Sequence, residues 1–130
     1  AGQDLATLDP DALGRRARAL HLVAEVGDLR GNSDAARQGF REAARSTGEL
    51  LKRDPGNWQR VYDHAQSEFW LAYDAHNRDD PKTALRHFMA YRELAQRLMQ
   101  LAPGKSESQL ELASAEINLG TALVRDRRLE

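Results

Sequence analysis

Apolar residues recur at spacings of three and four in five long stretches of the chain, with polar residues between them. This period is typical of a helix with one apolar face, and no stretch shows the strict alternation of a half-buried strand. Proline, glycine, asparagine and aspartate separate the stretches, as expected at helix ends. The pattern therefore predicts five helices, near residues 10–30, 33–53, 58–78, 81–101 and 106–127. Because the loops between them are short, we expect consecutive helices to be antiparallel.

The same pattern returns after 48 residues. The matching pairs are Ala17 and Ala65, Ala24 and Ala72, Arg30 and Arg78, Ala36 and Ala84, Phe40 and Phe88, Leu50 and Leu98, Pro55 and Pro103, and Gly56 and Gly104. A third copy begins with Ala113, Glu116 and Leu119. A fixed period of this size is typical of stacked repeats, which usually serve as binding surfaces.

These positions also predict how the helices pack. Small residues let two helix backbones approach closely, and one large ring in each pair, Phe40 or Phe88, fills the gap, so we expect both rings to be almost completely buried. On the first helix the predicted buried face is Leu13, Ala17, Leu20, Val23, Ala24 and Gly27.

The chain resembles the tetratricopeptide (TPR) repeat family at the leucine, small, alanine and phenylalanine positions of its helix–turn–helix unit. The matching residues are Leu71, Ala72, Ala84 and Phe88, with Val23, Ala24, Ala36 and Phe40 one repeat earlier and Leu119 and Gly120 at the start of the third. The usual unit has about 34 residues, so each helix here is longer by close to two turns. The resemblance implies an all-α fold of antiparallel helix-hairpin repeats, a fragment of an α-solenoid.

On this interpretation residues 1–130 form one repeat domain, with repeats at about 9–56 and 57–104 and a partial repeat at about 105–130. The run at 54–60 resembles the linkers of long-helix arrays in large bacterial signalling proteins, which implies that the chain is part of a longer protein. The fifth helix lacks the partner that the other helices have. We therefore expect Leu110, Ile117, Leu119 and Leu123 to be covered by a second copy in a homodimer, or to stay partly solvated.

Composition and motifs limit the possible functions. The net charge of -1 gives no strong attraction to nucleic acid or to an anionic membrane. The chain has no cysteine, HExxH, glycine-rich phosphate loop or GxSxG, so we expect no enzyme, no metal site and no cofactor. Residues 1–8 do not read as a leader peptide, and no apolar run is long enough to span a bilayer, which favours a cytoplasmic protein.

The resemblance implies a concave groove formed by the first helix of each pair, with a protein or a peptide as its partner. The predicted centre is Phe69, Trp70, Tyr73 and His76, and the predicted rim is Arg18, Glu25 and Asn118. Aromatic side chains in a groove supply a large contact area. The carboxylate clamp of one TPR subclass is excluded, because the two cations that it needs are missing.

Two other interpretations of the aromatic residues stay open. In one, Phe69 and Trp70 pack between the long helices as core. In the other, the same rings line the enclosed pocket of a small-molecule sensor. The remaining polar features are interpreted as structural: solvated or helix-capping histidines, and a solvated basic stripe at Arg37, Arg41 and Arg45.

Overall fold

The computed structural model of this protein describes residues 5–128, which form five α-helices joined by short turns. Helix α1 spans Pro10–Leu29, α2 Ser33–Arg53, α3 Trp58–Asn77, α4 Pro81–Leu101 and α5 Ser106–Arg128. All five predicted helices are confirmed, with every end within one residue of its predicted place. The described part of the chain contains no strand. Residues 1–4 and 129–130, which the predicted domain includes, lie outside the described range.

A short 3₁₀ turn at Leu5–Thr7 precedes α1 and was not predicted. Arg53, at the end of α2, donates a hydrogen bond of 2.8 Å from its Nη2 to the carbonyl oxygen of Leu5. The Leu5 side chain is buried against Leu13 and Leu50. This turn is held by residues far away in the sequence, so local pattern gives no sign of it.

Side chains cap the first four helices. Asp9, Asn32, Asn57 and Asp80 each accept a hydrogen bond from a backbone amide of the first helical turn. Such a cap typically contributes about 1 kcal/mol to stability. The caps therefore fix where each helix begins, as the sequence predicted.

The turns inside the two hairpins have matching backbone conformations. Gly31, between α1 and α2, has a φ of 81°, and Asp79, between α3 and α4, has a φ of 57°. Glycine and aspartate are among the residues that tolerate this left-handed region. The two positions are 48 residues apart in the sequence.

The helices pack in sequential antiparallel pairs, α1 with α2, α2 with α3, α3 with α4, and α4 with α5. The three middle helices are thus flanked on two sides. The first and last helices are outer helices, each with one principal helical neighbour. This difference decides which apolar residues are covered.

The largest core cluster joins α3, α4 and α5. A smaller cluster of Ala24, Ala36 and Phe40 joins α1 to α2, and Trp70 and Leu71 of α3 pack against it. Phe40 is 2 % exposed and Phe88 is 4 % exposed, which confirms their predicted burial. The two rings therefore occupy the gap in their hairpins as expected.

Other predicted core positions are exposed. Val23 of α1 is 67 % exposed, because it points away from the face that Ala17 and Ala24 press against α2. On α5 only Leu119 of the four predicted residues is buried, whereas Leu110, Ile117 and Leu123 are exposed. Their exposure leaves both predicted alternatives open, a second copy that covers them or partial solvation, since α5 has no helix beyond it within residues 5–128.

Candidate functional site

A groove of about 590 Å³ lies between α1 and α3, and we call it the front groove. Helix α1 contributes four side chains at helical spacing and α3 contributes four more, over a floor that is mostly of small or apolar residues. The α1 residues are Arg18, His21, Leu22 and Glu25, the α3 residues are Gln59, Arg60, Asp63 and Gln66, and the floor is Gly14, Ala17, Thr47 and Leu50. Leu22 is 63 % exposed at the mouth of this groove, so the trough is open to solvent.

The small residues of α1 are necessary for the shape of the front groove. A β-carbon added at Gly14 would lie 3.3 Å from Nη1 of Arg18. Glycine therefore leaves room for the guanidinium group to fold over the helix at this end of the groove.

Charges of both signs line the front groove. Arg18 and Arg60 are cationic, and Glu25 and Asp63 are anionic. Asp63 accepts a hydrogen bond of 2.8 Å from Nε2 of Gln59. Within residues 5–128, no opposite charge lies at ion-pair distance from Arg18, Glu25 or Arg60. A partner could therefore pair with these three charges without breaking an ion pair within the described residues.

A chain of polar side chains starts at the floor of the front groove and crosses the inside of the domain. We call it the polar chain, and in order its members are His21, Ser67, Thr47, His64, Glu68 and His87. Ser67 Oγ lies 3.2 Å from Nε2 of His21 and 2.8 Å from Oγ1 of Thr47. Both hydroxyl groups are buried, so these contacts satisfy polar atoms that water does not reach.

The second half of the polar chain ends on the opposite side of α3. Thr47 Oγ1 lies 2.8 Å from Nδ1 of His64, and Nε2 of His64 lies 3.5 Å from a carboxylate oxygen of Glu68. The other oxygen of Glu68 lies 2.6 Å from Nδ1 of His87. The predicted solvated or capping role is therefore wrong for His21, His64 and His87.

Burial shifts the pKa of two of these histidines. It lowers the pKa of His21, with Glu25 and Asp63 acting in the opposite direction. It also lowers the pKa of His64, which Glu68 opposes. A buried imidazole is favoured in its neutral form, because ionisation inside the protein costs desolvation energy.

A second groove of about 380 Å³ lies between α2 and α4, over α3, and we call it the rear groove. Its lining holds five arginines, two histidines of the polar chain, two carboxylates, one threonine and two apolar residues. They are Arg37, Arg41, Arg45, Arg78, Arg86, His64, His87, Glu68, Asp74, Thr83, Ala44 and Leu71. The stripe interpreted from sequence as a solvated face thus forms one wall of a groove.

Asp74 anchors the rear groove. Its carboxylate is buried, and Oδ2 lies 3.0 Å from Nε of Arg78 and 3.8 Å from Nε of Arg37. One buried carboxylate therefore brings together the guanidinium groups of Arg37 in α2 and of Arg78 in the turn after α3.

The aromatic centre predicted from sequence is largely part of the packing. Trp70 stacks on Phe40 with ring centroids 5.4 Å apart and planes 7° apart. Phe69 packs its edge against Phe88 and Tyr91, with centroid distances of 6.3 Å and 5.5 Å. The positions of Phe69 and Trp70 therefore agree with the interpretation in which they pack between the helices as core.

The other predicted site residues lie in two further places. Arg18 and Glu25 line the front groove. Tyr73, His76 and Asn118 line a small cavity of about 110 Å³ between α3 and α5. The predicted set is therefore not one continuous surface.

Partners in the chain already engage two of the side chains around this small cavity. Nη1 of Arg125 lies 2.9 Å from Nδ1 of His76, and Nδ2 of Asn118 donates to the carbonyl oxygen of Ser114 at 2.8 Å. These contacts favour a structural role for His76 and Asn118.

Two further features are absent from the described range of 5–128. No group of three or more histidine, aspartate and glutamate side chains there is arranged to hold a metal ion. None of its helices combines the length and the apolar character needed to cross a membrane. No family model matches the sequence, and no curated protein or solved structure matches it significantly.

Proposed function

We propose that this domain is a protein-interaction module of a larger scaffold or signalling protein, and that a short peptide or partner helix binds in its front groove. The function is binding rather than catalysis, and the partner carries charges of both signs. The observation that supports it most is the open trough between α1 and α3, with Arg18, Glu25 and Arg60 free of ion pairs inside residues 5–128.

A peptide fits this groove better than a small ligand does. The trough is long enough to be lined by residues two helical turns apart, from Arg18 to Glu25 on α1. Leu22 stands between these two charges and offers an apolar contact at the middle of the trough. An amphipathic helix pairs with such a groove through spaced apolar anchors flanked by charges.

The repeat architecture is part of the proposal. Helices α1, α3 and α5 begin at residues 10, 58 and 106, and α2 and α4 begin at 33 and 81, so each start recurs after 48 residues. The left-handed turn residues Gly31 and Asp79 follow the same offset. These coincidences support a TPR-like array in which first helices line the binding side.

The alternative of a small-molecule sensor is weaker. It needs an enclosed pocket lined by aromatic rings. Phe69 and Trp70 instead pack against Phe40, Phe88 and Tyr91. The rings of Phe69 and Trp70 thus pack within and between the two hairpins.

We also propose that α5 pairs with α5 of a second copy. Its exposed residues Leu110, Ala113, Ile117, Gly120 and Val124 follow the alternating three and four spacing of a helix-pairing seam. Exposed Glu107 lies at its start and exposed Arg127 lies near its end, which suits an antiparallel pair. Sedimentation analysis would detect the dimer, and Ile117→Glu should return it to monomer; a wild-type monomer at every concentration would contradict it.

The interaction proposal is tested by selecting peptides from a display library on the purified chain and then measuring their affinity for variants. We expect Leu22→Ser and Arg18→Glu each to weaken a selected peptide about tenfold, the effect of losing about 1.4 kcal/mol. Reversing an acidic residue of the peptide to lysine should restore binding to Arg18→Glu.

The matched control is Leu29→Ser, since Leu29 lies on the same helix, is 88 % exposed and does not line the front groove. This variant should bind like the wild type. If selected peptides bind Leu22→Ser and Leu29→Ser equally well, the front groove is not the binding surface.

A further inference from the structure

We propose that the rear groove binds a phosphate monoester dianion, held between the arginines of α2 on one side and Arg78 and Arg86 on the other. This site is on the opposite side of α3 from the front groove, and the inference does not depend on the proposed peptide binding.

The charge of the rear groove is the first argument. Five arginines and two carboxylates line it, an excess of three positive charges in the lining itself, although Asp34 and Glu42 just outside the lining pair with Arg37 and Arg45. The front groove has two of each sign, and the whole chain has a net charge of -1. The cationic character is therefore concentrated in this groove and does not reflect a basic protein.

The two carboxylates do not block the groove, because basic groups already hold them. Asp74 is buried beneath Arg78 and Arg37, and Glu68 lies between His64 and His87. Each carboxylate orients cationic or hydrogen-bonding groups from two different parts of the chain. Such buried acids act as supports for a binding site.

Two arginines of the rear groove form no ion pair within residues 5–128. Arg41 of α2 and Arg86 of α4 are exposed, and among residues 5–128 no carboxylate lies at ion-pair distance from either of them. They belong to the two helices that flank the groove. Each planar guanidinium group can donate two parallel hydrogen bonds to one oxyanion.

Arg37 gives an independent indication. Its Nε is buried and has no hydrogen-bond partner in the described structure, since Asp74 Oδ2 is 3.8 Å away. Nη2 of Arg37 donates to Asp34 at 3.3 Å, so the unsatisfied group is the Nε donor alone, and a buried donor without a partner calls for an explanation such as a bound ion. A dianion in the groove would stabilise this guanidinium group.

The chemistry of the lining favours phosphate over a carboxylate or an apolar ligand. Every lining residue except Ala44 and Leu71 is polar, and Thr83 adds a hydroxyl group beside Arg86 and His87. A phosphate monoester carries a charge of about -1.5 to -2 at neutral pH and three strong acceptor oxygens. That charge and that number of acceptors match the excess of arginine donors.

The test is calorimetric titration of the purified chain at pH 7 and fixed ionic strength with two probes. Inorganic phosphate represents a free phosphate, and the capped tripeptide Gly-phosphoserine-Gly represents a phosphorylated protein. The same tripeptide with plain serine is the blank. We expect saturable binding of both phosphate probes and none of the blank.

Arg41→Gln and Arg86→Gln should each weaken binding about tenfold, because each removes a charge-assisted hydrogen-bond donor. Neither arginine makes an ion pair, so helicity and the thermal midpoint should not change. Arg15→Gln is the matched control, since it removes one exposed positive charge of α1 outside both grooves and should bind like the wild type.

The outcomes distinguish a phosphorylated protein from free phosphate as the ligand, and they can contradict the proposal. Tighter binding of the phosphorylated tripeptide than of phosphate assigns the groove to a phosphorylated protein, and equal binding assigns it to phosphate itself. Absence of saturable binding by either probe overturns the proposal. Equal weakening by Arg15→Gln, Arg41→Gln and Arg86→Gln also overturns it, because the attraction would then come from overall charge.

Discussion

The α1–α2 hairpin and the α3–α4 hairpin have the same framework and different interiors. Their framework positions are buried alike: Ala24 and Ala72, Ala36 and Ala84, Phe40 and Phe88, and Leu50 and Leu98. At three positions between these the first hairpin is polar where the second is apolar, although the second hairpin also buries two polar side chains, Ser67 and Asp74. His21, Ser46 and Thr47 of the first correspond to Phe69, Leu94 and Ala95 of the second.

This difference indicates that one set of residues holds the two helices of a hairpin together and that other residues determine the polar chain. Alanine and phenylalanine at fixed positions bring two helices together, whatever occupies the positions between them. The first hairpin uses that freedom to place Thr47 and His21 in the polar chain. The second hairpin fills the same places with apolar groups.

The order of the packed helices adds a second difference. Leu22 and Val23 of α1 are exposed, whereas Trp70 and Leu71, at the same places in α3, are half-buried. Helix α3 has α2 beside it, so Trp70 stacks on Phe40. Helix α1 has no equivalent neighbour in the described structure, which leaves its apolar side chains at the front groove and beside it.

The largest effect is expected from truncating the shared framework ring. Phe40→Ala and Phe88→Ala should each lower the free energy of unfolding by roughly 3–5 kcal/mol, because each leaves a cavity in a packed interior. Urea denaturation followed by circular dichroism measures the loss. If the framework is equivalent in both hairpins, the two losses should agree within about 1 kcal/mol.

The control for this pair is Leu29→Ala at an exposed position, which should change stability by no more than about 0.5 kcal/mol. A loss for Phe40→Ala as small as that of Leu29→Ala would mean that the first hairpin does not depend on its ring.

An intermediate loss of unfolding free energy is expected when Thr47 of the first hairpin is replaced by the residue type at the corresponding position of the second. Thr47→Ala introduces the alanine found at position 95 and removes the hydroxyl group between Ser67 and His64. Its loss removes the partner of Nδ1 of His64, while Ser67 keeps its contacts with His21 and with the carbonyl oxygen of Asp63, and we expect a cost of about 1–3 kcal/mol. The same denaturation experiment measures it.

Thr121→Ala is the matched control, since Thr121 is exposed and donates only to the carbonyl oxygen of Ile117 in the same helix. It should cost less than about 0.5 kcal/mol. Equal losses at Thr47 and Thr121 would show that the polar chain adds nothing to stability.

The smallest effect is expected from pH, because both histidines concerned are only partly buried and acidic neighbours oppose the shift. Burial lowers the pKa of His21 and His64 below the ordinary 6.5. The unfolded chain then binds protons that the folded protein does not, so stability is full above pH 6.5 and falls as the pH drops below it. The second hairpin has no histidine at the place of His21.

Unfolding free energies between pH 7.5 and about 5.5 measure this dependence. The double variant His21→Gln and His64→Gln should show a shallower decline than the wild type over that interval. An unchanged decline would place the titrating groups elsewhere.

The helices and their ends could be predicted because they depend on local chemistry. Asp9, Asn32, Asn57 and Asp80 cap helices, and the apolar period does not change along the chain. The burial of Phe40 and Phe88 followed from their place among alanines at helical spacing. The candidate site was less predictable: the predicted rim residues Arg18 and Glu25 do line the front groove, but the aromatic residues chosen as its centre mostly join the hairpins, and the rear groove was not recognised.

The sequence by itself determined five helices, their antiparallel order and the two framework rings, because caps, period and short loops act between residues close in the chain. Only the tertiary structure decided that His21, Ser67, Thr47, His64, Glu68 and His87 meet, and that the arginines of α2 face Arg78 and Arg86. Those contacts depend on the angle and register at which separate helices pack. No spacing along one helix specifies that register, since it comes from side-chain fit across the interface.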